Sequence, residues 1–185
     1  MEMKLFMVLI GCRPSGRHTE QHDIFFGIGT SMRELIPAFK EFWPEAKGNM
    51  HIDGWKSVTQ VNGYDVRIVS REEQVPENKV QLFFINLGGY KENEMDEFHY
   101  KLLYATSDKA EAIRRSKQTA FFKHTHFEGA NAHIDDKFGV DVDDIYEIEE
   151  ILPQAMKEAY KIVLSEAKEE REDPLHLGYF KLANL

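Results

Sequence analysis

Four pairs of an imidazole and a carboxylate stand two residues apart in this chain: Glu20 with His22, His51 with Asp53, Glu97 with His99, and His133 with Asp135. Residues at i and i+2 of a strand point to one face, so each pair sets its two groups side by side wherever its segment is extended. An imidazole next to a carboxylate is a usable general base, and two such pairs that meet would hold a divalent metal. The same spacing also serves structure. A carboxylate that accepts the ring N–H fixes the tautomer of a half-buried histidine and satisfies a polar group at a strand end. Both readings stand at this level.

Other candidates are thinner. His124 and His126 in "KHTHF" share a face if extended, and two histidines at that spacing suit a metal, but no third ligand can be identified from spacing. Arg13 and Arg17 in "GCRPSGR" offer guanidinium groups for a carboxylate or phosphate, although the Gly-Lys-Ser/Thr ending of a phosphate-binding P-loop is missing. An ordinary surface turn explains either stretch as well. Cys12 has no histidine near it in sequence and is not expected to act as a nucleophile. The acidic stretch from Glu128 to Glu150 lacks the arrangement of a calcium loop and reads as a solvated strand face.

The elements that must position these residues come in two similar sets. "LFMVLIG" from Leu5 lies over "LFFINLG" from Leu82, and the same offset, 97 − 20 or 99 − 22, places Glu20 on Glu97 and His22 on His99. Farther on the offset becomes 133 − 51, which pairs His51 with His133, Asp53 with Asp135 and Val58 with Val140. An insertion around "FFKHTHFEGAN" accounts for the change. Each apolar run ending in glycine reads as a buried strand entering a tight loop, and "HDIFFGIG" and "HYKLLYAT" read as second strands. "TSMRELIPAFKEFW" has apolar residues at helical spacing, a capping box from Ser31 and Glu34, and a proline, Pro37, that should kink or shorten it. Alternating segments after each helix complete a β-β-α-β-β pattern.

The expected fold class is therefore α+β: two duplicated β-β-α-β-β units related by a pseudo-twofold, plus a C-terminal helix. The boundaries are a first unit over 4–70, a linker over 71–79, a second unit over 80–152, a helix over 153–172 and an apolar tail over 173–185. "PQAMKEAYKIVLSEAKEE" supports the helix through Met156, Ala159, Tyr160, Val163 and Ala167 on one face. The tail "DPLHLGYFKLANL" is too apolar to hang free and is expected to pack on the body or on a second subunit.

Bulk properties narrow the class. An excess of 32 acidic over 23 basic residues argues against general nucleic-acid binding, which needs cationic groups on one face. No apolar run approaches the roughly 20 residues of a membrane helix. A single cysteine excludes an intrachain disulfide and fits a reducing cytoplasm.

The runs "EQHDIFFGIG", "LIPAFKEFWPEA", "HIDGW", "FFINLGGY", "EFHYK", "FFKHT" and "HIDDKFGVDVDDIYEI" resemble the bacterial domain-of-unknown-function family 1543, over about residues 4 to 152. The resemblance implies one or two copies of a short domain, in keeping with the duplication, and no activity, ligand or cofactor. The expectation is a cytoplasmic binding or interaction module, self-associating as a dimer, with no cofactor and an unknown small-molecule ligand. The alternative is a hydrolase-like enzyme using a His/carboxylate cluster, with or without a divalent metal, to activate water. The enzyme needs imidazoles and carboxylates from distant segments to converge, whereas the module needs only local pairs.

Overall fold

The apolar run that begins at Leu5 becomes the middle of a sheet. Along β1 (Lys4–Cys12), Phe6, Val8, Ile10 and Cys12 alternate and are all buried in one core, as a period of two requires. The computed structural model describes residues 2–90, 95–118 and 140–185. Within them the chain forms two compact units, one made of the residues up to Pro76 together with Ile151–Leu185, the other of Glu77–Glu150. The architecture is mixed α+β, with three small sheets and few, short helices. No helix among the described residues is long and apolar enough to cross a membrane.

In the first unit, β1 lies between β2 (Gln21–Gly29) and β3 (Met50–Val58), antiparallel to both, and β10 (His176–Lys181) adds to the outer edge of β3. Pro37 breaks the expected helix as its chemistry demands. Met32–Leu35 form a 3-10 turn, and α1 (Ile36–Phe42) starts afresh with the proline in its first turn, where the missing N–H costs nothing. Phe39 of α1 meets Phe25 of β2 edge-on at 5.0 Å and closes the core. Only half of the capping box expected of Ser31 and Glu34 forms: the Ser31 side chain makes no cap bond, while the Glu34 carboxylate accepts from the Ser31 backbone N–H. Glu34 accepts more strongly from the hydroxyl and backbone N–H of Thr30, one residue earlier, which holds its carboxyl below the usual range.

The C-terminal helix expected over 153–172 is corrected by the structure. Only Gln154–Ala159 is helical, and Tyr160–Glu166 forms β9, paired along its whole length with β5 (Tyr64–Ser70). The β-branched Ile162 and Val163 favour a pleated surface, and β5 offers an open edge that fixes the choice. The short strand β4 (Gln60–Val61) joins β5 through Asn62-Gly63, both with positive φ, as a two-residue hairpin turn requires. The apolar tail packs on its own unit: β10 pairs with β3, and Phe180, Leu182 and Leu185 rest on the core of the first sheet.

In the second unit, β6 (Gln81–Tyr90) lies between β7 (Glu97–Thr106) and β8 (Val140–Glu147). The helix α2 (Lys109–Ser116) is capped by Asp108, whose carboxylate accepts from Glu111 N at 2.8 Å. Phe83, Ile85, Leu87, Tyr104 and Ala112 form the core. Both sheets slip register at one place on the central strand, between Leu9 and Ile10 in β1 and between Asn86 and Leu87 in β6. The register also sets Val140 opposite Gly89, as Met50 is set opposite Cys12.

Candidate functional site

The glycine that ends "LFMVLIG" does not turn the chain. Gly11 stays within β1, directly opposite His22 of β2 on one side and His51 of β3 on the other. Residues opposite one another across a ladder share a face, so the two histidines flank the glycine in one row. They sit two strand spacings apart, about 9–10 Å. Only a residue without a side chain between them lets both rings lean inward. A Cβ on Gly11 would come within 2.5 Å of His51 Nε2 and closer still to Asp53 Oδ2.

A bulge brings in the carboxylate. Leu9 faces Gly54 and Ile10 faces Ile52, which leaves Asp53 as the extra residue on β3. Its Oδ1 lies 3.2 Å from His51 Nε2 and its Oδ2 3.2 Å from His22 Nε2, so one carboxylate spans both rings. Glu20, at the end of the β1–β2 loop, adds a second carboxylate, with Oε1 3.3 Å from His51 Nε2 and Oε2 3.9 Å from His22 Nε2. Glu20, His22 and His51 each offer a ligand atom within 4.8 Å of the other two.

Burial divides the cluster. The His51 side chain is 6% exposed and Asp53 25%, whereas His22 and Glu20 are 43% and 46% exposed. His51 Nε2 and Asp53 Oδ2 are both buried and make no hydrogen bond. The 3.2 Å approaches are therefore contacts without hydrogen-bond alignment. The His51 ring is also stacked on Tyr179 of β10, with centroids 4.2 Å apart.

The expected pairs thus fare differently. Glu20, His22, His51 and Asp53 come together from two pairs on neighbouring strands, within the first unit. Glu97 and His99 stand 3.9 Å apart in the second unit, both partly exposed, with His99 opposite Gly88. His133, Asp135, His124 and His126 lie outside the described residues. Arg13 and Arg17 are exposed in the β1–β2 loop, in a turn closed by Arg17 N to Pro14 O with Gly16 at φ +82°. Cys12 is buried beside the site, and burial, with Glu20 and Glu45 nearby, pushes its thiol upward. It stays a neutral thiol, unsuited to attack.

Gly11 and Tyr179 are the residues that spacing did not find. The glycine was visible at the end of the first apolar run, but its role depends on strand order. Tyr179 joins from a segment far away in sequence.

The fold and site together define a small α+β protein with a mixed imidazole and carboxylate cluster on a sheet face. Residues 17–68 match the model of a family described as Domain of Unknown Function (DUF1543), and that stretch contains all four residues of the cluster. The resemblance read from the sequence therefore holds over that segment. A crystal structure of a protein Il1583 from Idiomarina loihiensis is similar over 98% of this chain and 99% of its own, with a TM-score of 0.65 at 22% identity. That likeness is one of fold. No curated protein matches the chain.

Proposed function

We propose that the first unit binds a divalent metal ion through His22, His51 and Glu20, with Asp53 beside both imidazoles and the fourth position open to water. The observation that carries this reading is the pair of buried, hydrogen-bond-less atoms, His51 Nε2 and Asp53 Oδ2, facing the ligand atoms of His22 and Glu20. Leaving one such atom unsatisfied costs about 1–3 kcal/mol. A cation among them would satisfy both. Spacing supports it as well: metal–ligand bonds of about 2.0–2.1 Å at a tetrahedral angle put donors about 3.3 Å apart. Three of the four imidazole–carboxylate contacts here stand at 3.2 and 3.3 Å, and the fourth, His22 with Glu20, at 3.9 Å. Two imidazoles with carboxylates suit a borderline ion of the zinc or cobalt kind better than magnesium or calcium.

Metal content after loading tests the reading. Protein stripped with a chelator, given Zn2+ and passed through gel filtration is expected to retain about one ion per chain. His22→Ala and His51→Ala should retain none. Wild-type protein emerging without zinc would dismiss the site.

A hydrolytic use of the ion is favoured by one observation. Its two more exposed ligands, Glu20 and His22, face solvent, so water can reach the metal from their side. Arg13 and Arg17, in the same loop as Glu20, are the groups that would take an anionic substrate. Duplication of the two units is part of the same proposal, supported by the shared strand order and the bulges at Leu9/Ile10 and Asn86/Leu87. So is a dimer, supported by exposed Leu175 and Leu177 around the edge strand β10, in a reducing cytoplasm that the single cysteine suits. Light scattering on the eluting protein checks the dimer.

A further inference from the structure

β3 is irregular on both flanks at one residue. On the β1 side Asp53 is the extra residue of a bulge. On the β10 side Leu177 faces Gly54 and Phe180 faces Ile52, so Gly178 and Tyr179 stand opposite Asp53 alone. Two bulges meeting at one residue of a strand mark a place where side chains have been re-aimed. The outcome on one side is the Asp53 carboxylate between the two histidines. On the other it is Tyr179 laid on the His51 ring at 4.2 Å and 30°.

Core packing does not explain the tyrosine, because its side of the strand remains open and Tyr179 is 64% exposed. A ring so exposed gains little from burial. Its partner, in contrast, is nearly closed off. The strand that carries it is anchored before and after the site. Before it, Asp173 accepts from Thr59 N at 2.8 Å, from the Thr59 hydroxyl and from Gln60 N at 3.4 Å. After it, Phe180 and Leu182 rest on the first core. Between the anchors, His176 stacks on Trp55 at 4.0 Å.

We infer that Tyr179 is a positioning residue for the cation site, and that cation binding and docking of β10 strengthen each other. The inference rests on the metal-binding reading of Glu20, His22, His51 and Asp53. Groups that orient a metal-bound imidazole matter almost as much as the ligand itself, and their loss costs about 10–100-fold in metal affinity. Tyr179 fixes the plane of the His51 ring and keeps water from its back. By linkage, an ion that prefers His51 held in that plane must in turn hold β10 in place.

The test uses Co2+ as the probe, on the full chain, in competition with a chromophoric chelator. Tyr179→Ala is expected to bind Co2+ about tenfold more weakly or worse, and Tyr179→Phe, which keeps the ring, to bind as wild type does. Hydrogen exchange of the β10 amides in wild-type protein supplies a readout independent of that variant's folding. Co2+ should slow exchange there, and should not do so in His51→Ala. Unchanged affinity in Tyr179→Ala, or unchanged β10 exchange in Co2+-bound wild type, would overturn the role of Tyr179 while leaving the metal site standing. Wild-type protein that takes up no Co2+ would remove both.

Discussion

At the residue scale the cluster turns on Gly11, a position with no chemistry of its own. Its missing side chain is what permits two imidazoles, two strands apart, to meet over the central strand. Gly11→Ala is therefore expected to destabilise the first unit by about 1–3 kcal/mol through overpacking, and to abolish zinc retention without removing any ligand. Urea unfolding and metal content, measured on the same preparation, check both. The spacing of Glu20 with His22 and of His51 with Asp53 was legible in the sequence, and so was the chemistry these residues carry. Their convergence was not, because period two fixes a face and says nothing of which strand lies alongside. Read from sequence alone, the glycine looked like the end of a strand, although the strand runs through it to Cys12.

At the scale of elements, the strands β1, β2, β6 and β7 were legible from short apolar runs, and the break at Pro37 from the chemistry of proline. The segment 153–172 shows where that reading stops. Met156, Ala159, Tyr160 and Val163 fit a helix face, while Tyr160, Ile162 and Leu164 fit a strand face, and short apolar runs satisfy both periods. The pairing of Tyr160–Glu166 with β5 decides it, and that partner is nearly a hundred residues away (160 − 70 = 90 at the closest pair). The chain between β9 and β10 is held by a few polar contacts. Asp173 takes three donors from Thr59 and Gln60, while Arg171 donates to the Asp65 carboxylate at 2.8 Å and Gln60 accepts from Arg171 N at 2.7 Å. Hydrogen bonds to a charged group contribute about 1.5–3 kcal/mol. Asp173→Ala is expected to lower stability by about that much, and to raise hydrogen exchange in β10 more than in β1.

At the scale of the whole molecule, acid stability depends on carboxylates in both units. Thr30 lowers Glu34, the Gln60 amide and then Arg171 lower Asp65, and Arg114 and Arg115 lower Glu111. A carboxyl held below its unfolded value contributes stability above that value and loses it as pH falls through the folded one. The melting temperature should thus hold from neutral pH down to about pH 4, the ordinary carboxylate range, and fall below it. Asp65→Asn should flatten part of that fall. The acidic balance, the absence of any long apolar run and a division into two units were legible in the sequence, whereas the return of the C-terminus to the first unit required the strand pairings. Anomalous diffraction at the zinc edge, from crystals of zinc-loaded protein, would show outright whether a metal is held between β2 and β3 over Gly11. A peak is expected about 2.0–2.2 Å from His22 Nε2, His51 Nε2 and a Glu20 carboxylate oxygen. A zinc-loaded crystal with no peak there, or with its only peak elsewhere, would refute the metal site.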